Sequence, residues 1–188
     1  MTILKQIIIV LLLFFLANSN AQEKSSKDLK IKKDLNGISI DAPEGVHQYE
    51  FRIGEWESTF KSIQRNGTWK TGTGQYRVFV ADNGLTFIEE GLDEEGNVTH
   101  RITFDYIEAT DSWENNYIDI KTGRKVKYTS KMVNGNLVET IKRENNENNN
   151  TYTSIGGNIY IYTARRTFNN GYTLVNHVGI STKKVKVN

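Results

Sequence analysis

The chain has no cysteine, a single proline and almost no excess of charge of either sign. Without cysteine it forms no disulfide and has no thiol chemistry, so its stability depends on burial and on backbone hydrogen bonds. The 24 Lys and Arg residues nearly balance the 22 Asp and Glu residues, a balance that does not indicate a nucleic-acid partner.

Long hydrophobic runs are also missing, apart from ten apolar residues at positions 7–16. This run is too short to span a bilayer, which takes roughly 20 apolar residues. It follows the positive charge of Lys5 and precedes Ser19 and Ala21, small residues typical of a cleavage site. We predict a signal peptide over residues 1–21, a periplasmic or secreted mature protein and no stable membrane anchor. An uncleaved N-terminal anchor is the alternative.

The mature chain divides into a polar leader and one strand-rich domain. Residues 22–44 are rich in Lys, Ser and Asp, which predicts a flexible leader. Residues 45–182 contain short runs of Val, Ile, Thr, Tyr, Phe and Trp separated by Gly, Asn and Asp, a pattern typical of antiparallel strands. Dipeptides such as Asn134-Gly135 suit the tight turns of hairpins. Residues 183–188 are predicted to be a C-terminal tail.

The spacing of the turns predicts an all-β fold. The predicted strands cover residues 49–63, 68–80, 85–92, 98–107, 112–120, 124–132, 137–143, 151–155, 158–168 and 172–180. The Asn-rich run 144–150 between two of them is predicted to be a loop. Consecutive hairpins in an open sheet would leave two exposed edges, so we predict an antiparallel up-and-down barrel of about eight to ten strands. An immunoglobulin-like sandwich is the alternative.

The first predicted strand carries the motif Gly54-Glu55-Trp56 within residues 51–57. This segment resembles the opening strand of small calycin barrels, in particular a lipocalin-like family of uncharacterised exported proteins. Gly54 permits a tight bend, and Trp56 is expected to bury roughly 150 to 250 Å² at the barrel floor. In lipocalin-like barrels an arginine of a late strand packs on this tryptophan. The resemblance therefore implies that Arg166 covers Trp56 as a structural contact.

The three histidines are the obvious candidates for acid–base or metal chemistry, but none has a second ligand at metal-binding spacing. His177 falls in the last strand, where similar haem-binding barrels place an axial histidine. Those barrels continue the Gly-x-Trp motif with further glycines, whereas Ser58 and Thr59 follow here. The sequence also lacks the common motifs of hydrolases, phosphate loops and zinc enzymes. We predict no catalytic residue, no metal site and no cofactor.

Aromatic residues are the strongest indication of function. Most are expected to pack the core, but together they can also line a cavity, and barrels of about eight or more strands can enclose a small ligand. The predicted cavity residues are Tyr76, Phe87, His100, Phe104, Tyr106, Trp113, Tyr117 and Tyr128. We predict a non-enzymatic barrel that binds a small apolar or amphipathic molecule. The alternatives are a periplasmic accessory protein of polysaccharide degradation, which binds a glycan or a partner protein, and a cofactor-free enzyme that uses His100.

Overall fold

The computed structural model describes residues 31–184, and in this part of the chain ten antiparallel strands form one closed barrel. Each strand pairs with the next along the chain, and β1 pairs with β10 to close the sheet. The strands are β1 (Gly54–Ile63), β2 (Trp69–Val80), β3 (Thr86–Leu92), β4 (Val98–Ile107), β5 (Ser112–Asp119), β6 (Lys125–Val133), β7 (Asn136–Lys142), β8 (Asn146–Ser154), β9 (Ile159–Phe168) and β10 (Thr173–Lys183). The predicted up-and-down barrel is confirmed. The predicted signal peptide lies outside the described residues.

Two predicted boundaries differ from the structure. Residues 49–53 do not begin β1, because a short helix α1 (Glu44–His47) and a 3₁₀ turn (Glu50–Arg52) precede it. The Asn-rich run is not a loop, because β8 already begins at Asn146. Asn148 and Asn150 point into the barrel and are buried. The Asn148 Oδ1 accepts from Arg166 and the Asn150 Nδ2 donates to Glu139, so polar partners inside the barrel allow this Asn-rich strand to be buried.

The N-terminal segment closes one end of the barrel. The ring of Tyr49 is fully buried, and its centroid lies 4.8 Å from that of Phe104, 5.0 Å from Phe87 and 5.4 Å from Trp113. Ile38 is fully buried in the same core. The sequence predicts a flexible leader through residue 44, but the structure shows that part of this segment is packed against the barrel core. Within residues 31–184, no helix has the length and apolar character needed to cross a bilayer.

The arginine contact predicted for the Gly-x-Trp motif differs from the structure. Gly54 has a φ of +137°, which favours glycine, and Trp56 is buried. The Nζ atom of Lys183 lies 5.8 Å from the Trp56 ring centroid, whereas the Nε of Arg166 donates to the Oδ1 of Asn148. Tyr160 of β9 pairs with Ser181 of β10, two residues from Lys183. Arg166 is six residues further along β9 than Tyr160, which places it about 20 Å from Tyr160. The predicted Arg166 contact is therefore wrong.

Candidate ligand-binding site

A cavity of about 360 Å³, here called the main cavity, lies inside the barrel between β1–β4 and β8–β10. Its aromatic walls are Phe60, Tyr76, Tyr152, Tyr160 and Tyr162, with His100 and His177 among the further lining residues. The space exists because inward positions of three neighbouring walls are glycines: Gly74, Gly91 and Gly179. A Cβ atom on Gly91 would overlap the ring of His100, and one on Gly179 would lie 3.0 Å from the Phe60 Cβ. Glycine thus creates the room that the aromatic rings enclose.

The main cavity reaches the surface beside β2. The pairing between β2 and β3 ends at Gln75 and Leu92, so the first part of β2 extends beyond its neighbour. Both residues line the cavity. They also line an adjoining surface depression together with Asp93 and Glu94. This opening is therefore flanked by negative charge.

A second space of about 280 Å³, here called the side recess, lies against β4 to β9. It shares Tyr152 and Tyr162 with the main cavity, so the two spaces adjoin at these two rings. Its apolar walls include Ile102, Val126 and Ile141. Its charged lining residues are Arg124, Glu139 and Arg143. The interior is therefore amphipathic.

Arg52 is the central charged residue of the site. Its side chain is only 1% exposed, and its Nη2 donates to the buried Glu89 carboxylate. The carbonyl oxygen of Arg52 accepts a hydrogen bond of 2.8 Å from the Trp56 Nε1, which fixes the 3₁₀ turn on the barrel floor. The guanidinium carbon lies 4.2 Å from the Tyr152 ring centroid and 5.1 Å from that of Tyr160. Such cation–π contacts stabilise a desolvated guanidinium.

Glu139 of β7 is the second buried acid of the interior. Its Oε2 accepts hydrogen bonds of 3.0 Å from the Asn150 Nδ2 and 3.1 Å from the Tyr152 hydroxyl. Burial raises the pKa of Glu139 to about 7, while the positive charge of Arg52 opposes that shift. The carboxyl group therefore changes its charge near neutral pH.

The two histidines of the main cavity are held by aromatic rings. His100 stacks on Tyr117 with ring centroids 5.4 Å apart, and its Nδ1 lies 3.2 Å from the Thr99 Oγ1. His177 stacks on Phe60 at 4.8 Å and meets the edge of Tyr162 at 4.9 Å. Burial lowers the pKa of His177, so this ring is uncharged over most of the neutral range.

The predicted cavity residues are divided among three places. Tyr76 and His100 line the main cavity, and Tyr117 and Tyr128 line the side recess. Three others line neither space, because they pack around Tyr49 in the closed end: Phe87, Phe104 and Trp113. Tyr106 donates a hydrogen bond of 2.8 Å from its hydroxyl to the Asp111 Oδ1, next to the same core. The alternation of apolar residues thus predicted which rings point into the barrel. It did not predict how far along the barrel axis each ring lies.

Sequence reasoning missed Arg52, Glu139 and the small residues that make the space. A signal for the acid was present, since Leu137, Glu139 and Ile141 share one face of a strand. The alternation Gly72-Thr73-Gly74 also indicated a strand face without side chains. No comparable signal marked Arg52, because it lies in a 3₁₀ turn outside the strand pattern.

On the outer surface, Asp34, His47 and Glu50 bring three potential metal ligands within 4.8 Å of one another. His47 and Glu50 contact each other directly. All three side chains are exposed or half-buried. Exposed acidic groups of this kind commonly hold no ion, and no further feature at this cluster indicates one.

No family model matches the chain, and no curated protein matches it. An S-type phycobiliprotein lyase from Guillardia theta is similar in structure, with a TM-score of 0.52, 10% sequence identity and coverage of 73% of this chain and 91% of the lyase. The protein Rv2717c from M. tuberculosis has a TM-score of 0.51 at 10% identity, over 77% of this chain and all of Rv2717c. At these identities the similarity concerns the fold. The chain has the fold of the lipocalin-like, or calycin, β-barrels.

Proposed function

We propose that this protein is an exported, non-enzymatic barrel that binds a small amphipathic molecule in the main cavity. One observation carries the proposal: an interior space of about 360 Å³ combines the faces of five aromatic rings with the polar groups of Arg52, Glu89 and two histidines. Ligand pockets of this kind are mainly apolar, with a few convergent polar groups that fix the orientation of the ligand. The signal-peptide pattern of residues 1–21 supports export.

The sequence left two alternative functions, an accessory protein that binds a glycan or a partner protein and a cofactor-free enzyme that uses His100, and both have weaker support. Trp69 and Phe79 are exposed and share the outer face of β2, but ten residues of strand separate them by about 33 Å. They therefore do not form one platform on which a sugar could stack. His100 contacts the Tyr117 ring and the Thr99 hydroxyl, and neither partner is a carboxylate or a second imidazole.

Binding is tested with N-phenyl-1-naphthylamine, a neutral dye that fluoresces when it leaves water. We expect saturable binding to the purified mature protein. In Gly74→Leu the new side chain fills the space beside Ser58 and Phe60, since a Cβ there already lies 3.2 Å from the Ser58 Oγ. We expect at least about a tenfold loss of affinity, because the dye and the side chain compete for one volume. Thr71→Leu, on the outer face of the same strand, is the matched control.

Equal dye affinity in Gly74→Leu and in Thr71→Leu would refute binding in the main cavity. Native mass spectrometry of protein purified from its own host adds a second measurement, and we expect a co-purifying small molecule. Export is measured on the same sample by N-terminal sequencing. A chain that begins at Gln22 supports it, and an intact Met1 contradicts it.

A further inference from the structure

Two hydrogen-bond donors of Arg52 have no partner in the protein. The Nη2 is bonded to Glu89, whereas the Nε and the Nη1 are buried and unbonded. A buried donor without an acceptor is destabilising, and more so when the group is charged. The Tyr160 hydroxyl also interacts with the guanidinium, but the aromatic faces around it are weak hydrogen-bond acceptors, and the Nε and Nη1 stay without a strong partner. The guanidinium is therefore half-satisfied at the wall of an interior cavity.

The chemistry of the missing acceptor follows from the two free donors. A guanidinium presents its N–H groups in a planar fork that matches the two oxygens of a carboxylate. Arg52 lines the main cavity, so an acceptor that enters this space can approach it. Glu89 already satisfies one part of the guanidinium, and a second oxyanion can use the remaining donors.

The charges inside the barrel determine when a second anion can enter. Arg52 and Glu89 form an ion pair, and Glu139 is a further buried acid. With Glu139 ionised, an added carboxylate would be a third negative charge beside a single buried positive one. The charged and titratable groups that surround Glu139 are Arg52, Glu89, Arg124, Arg143, Tyr49, Tyr128, Tyr152 and Tyr162. A proton on Glu139 removes one of the three negative charges.

We propose that the cavity selects an amphipathic carboxylate, which accepts a hydrogen bond from an unpaired donor of Arg52, Nη1 or Nε, and that Glu139 takes up a proton from solvent when this ligand binds. The inference rests on the proposed function and names the chemical class of its ligand. Arg124 and Arg143 attract an anion to the side recess, whereas Asp93 and Glu94 flank the other opening. The anion therefore enters on the side of the recess.

The carboxylate is tested by displacement of N-phenyl-1-naphthylamine with decanoate and with decanol, which differ only in the head group. We expect decanoate to bind at least about tenfold more tightly than decanol at pH 6, because a carboxylate forms a charge-assisted hydrogen bond with the guanidinium that is stronger than the bond formed by a neutral hydroxyl. Equal affinities would overturn the carboxylate proposal. Dye binding would then still support the proposed function, whereas a failure of dye, decanol and decanoate to bind would refute both.

Proton uptake is tested by repeating the titrations across neutral pH. We expect the affinity for decanoate to fall about tenfold between about pH 6 and pH 8, as the buried acid loses its proton, and the affinity for decanol to stay constant. In Glu139→Gln the side chain is neutral at every pH, so decanoate binding becomes independent of pH and exceeds that of the unmodified protein at pH 8. An unchanged pH dependence in Glu139→Gln would overturn the coupling and assign it to another group, with His100 and His177 next to be tested.

Two variants test the role of Arg52 directly. Arg52→Gln should lose the preference for decanoate over decanol. Because this variant also leaves Glu89 unpaired and its folding can fail, Glu89→Gln provides a readout that misfolding cannot imitate. It removes the negative charge that competes for Arg52 and weakens the hydrogen bond from the Nη2, so we expect tighter decanoate binding and unchanged decanol binding. Weaker decanoate binding in Glu89→Gln, with decanol unchanged, would overturn the proposed site.

Discussion

At the scale of single residues, the interior differs from an ordinary core in the charges it holds. Arg52, Glu89 and Glu139 are all buried, and buried charges persist in proteins only when partners or a function compensate their desolvation. The inward direction of Glu139 was predictable from the strand period. Its altered pKa was not, because that value depends on groups from other strands, such as Asn150 and Tyr152, which are distant in sequence.

Glu139 makes the stability of the ligand-free protein depend on pH. Its pKa is about 7 in the folded chain against 4.5 for the free side chain. The folded state therefore binds more protons between these values, and this contribution to stability is present below about pH 4.5 and lost as the pH rises through about 7. Glu139→Gln should remove this loss and raise the free energy of unfolding at pH 8 by at most about 3 kcal/mol. Urea denaturation of Glu139→Gln and of the unmodified protein at pH 5 and pH 8 measures this difference in stability. An equal pH dependence of stability in the two proteins would contradict the prediction.

At the scale of elements, β8 shows where composition misleads. Its first five residues read Asn-Glu-Asn-Asn-Asn, a composition that favours loops because asparagine has a low strand propensity. The strand forms because its backbone pairs with both β7 and β9. Its inward amides also find partners, since Asn148 accepts from Arg166 and Asn150 donates to Glu139. Tertiary hydrogen bonds thus override local propensity in this strand.

Asn150→Ala should destabilise the barrel by about 1 to 3 kcal/mol, because the buried Glu139 loses a hydrogen-bond donor. The matched control is Asn145→Ala in the exposed turn before β8, where we expect a change within about 0.5 kcal/mol. Chemical denaturation of both variants measures the difference. Similar losses in the two proteins would show that β8 is not held by its inward amides.

At the scale of the whole molecule, the segment before the barrel is part of the fold. Ile38 is fully buried in the core, whereas Leu35 in the same segment is fully exposed. The sequence shows one short apolar patch there and does not show which of its residues is buried. That choice depends on the turn at Asp34, whose Oδ1 accepts from the backbone N–H groups of Asn36 and Ile38.

Ile38→Ala should lower the free energy of unfolding by about 2 to 5 kcal/mol, the usual cost of removing a large buried aliphatic side chain. Leu35→Ala is the control and should change it by less than about 0.5 kcal/mol. Thermal and urea unfolding of the two variants and of the unmodified protein measure this difference. If both variants unfold like the unmodified protein, residues 31–44 do not contribute to the core.

Most of the architecture was predictable, since ten strands could be read from alternation and turn residues, β8 only in its second half, and the closure followed from the cost of free edges. The site was predictable only in outline. Aromatic residues indicate a cavity, but its position depends on which inward positions are empty, such as Gly74 and Gly91. Tyr49 determines which rings fill the closed end. The strand pattern predicts that Tyr49 begins β1, whereas in the structure it lies across the barrel floor.

The seam between β1 and β10 has a consequence for the speed of folding. Every other ladder joins neighbours in sequence, whereas the paired residues of this seam are at least 115 positions apart. Hairpins form within about microseconds, but contacts at such long separation carry a loop-closure entropy that must be overcome before they become favourable. Closure is therefore expected to limit the folding rate. A chain that has made all its hairpins but not its seam still exposes two strand edges, and during that interval it is most prone to aggregate.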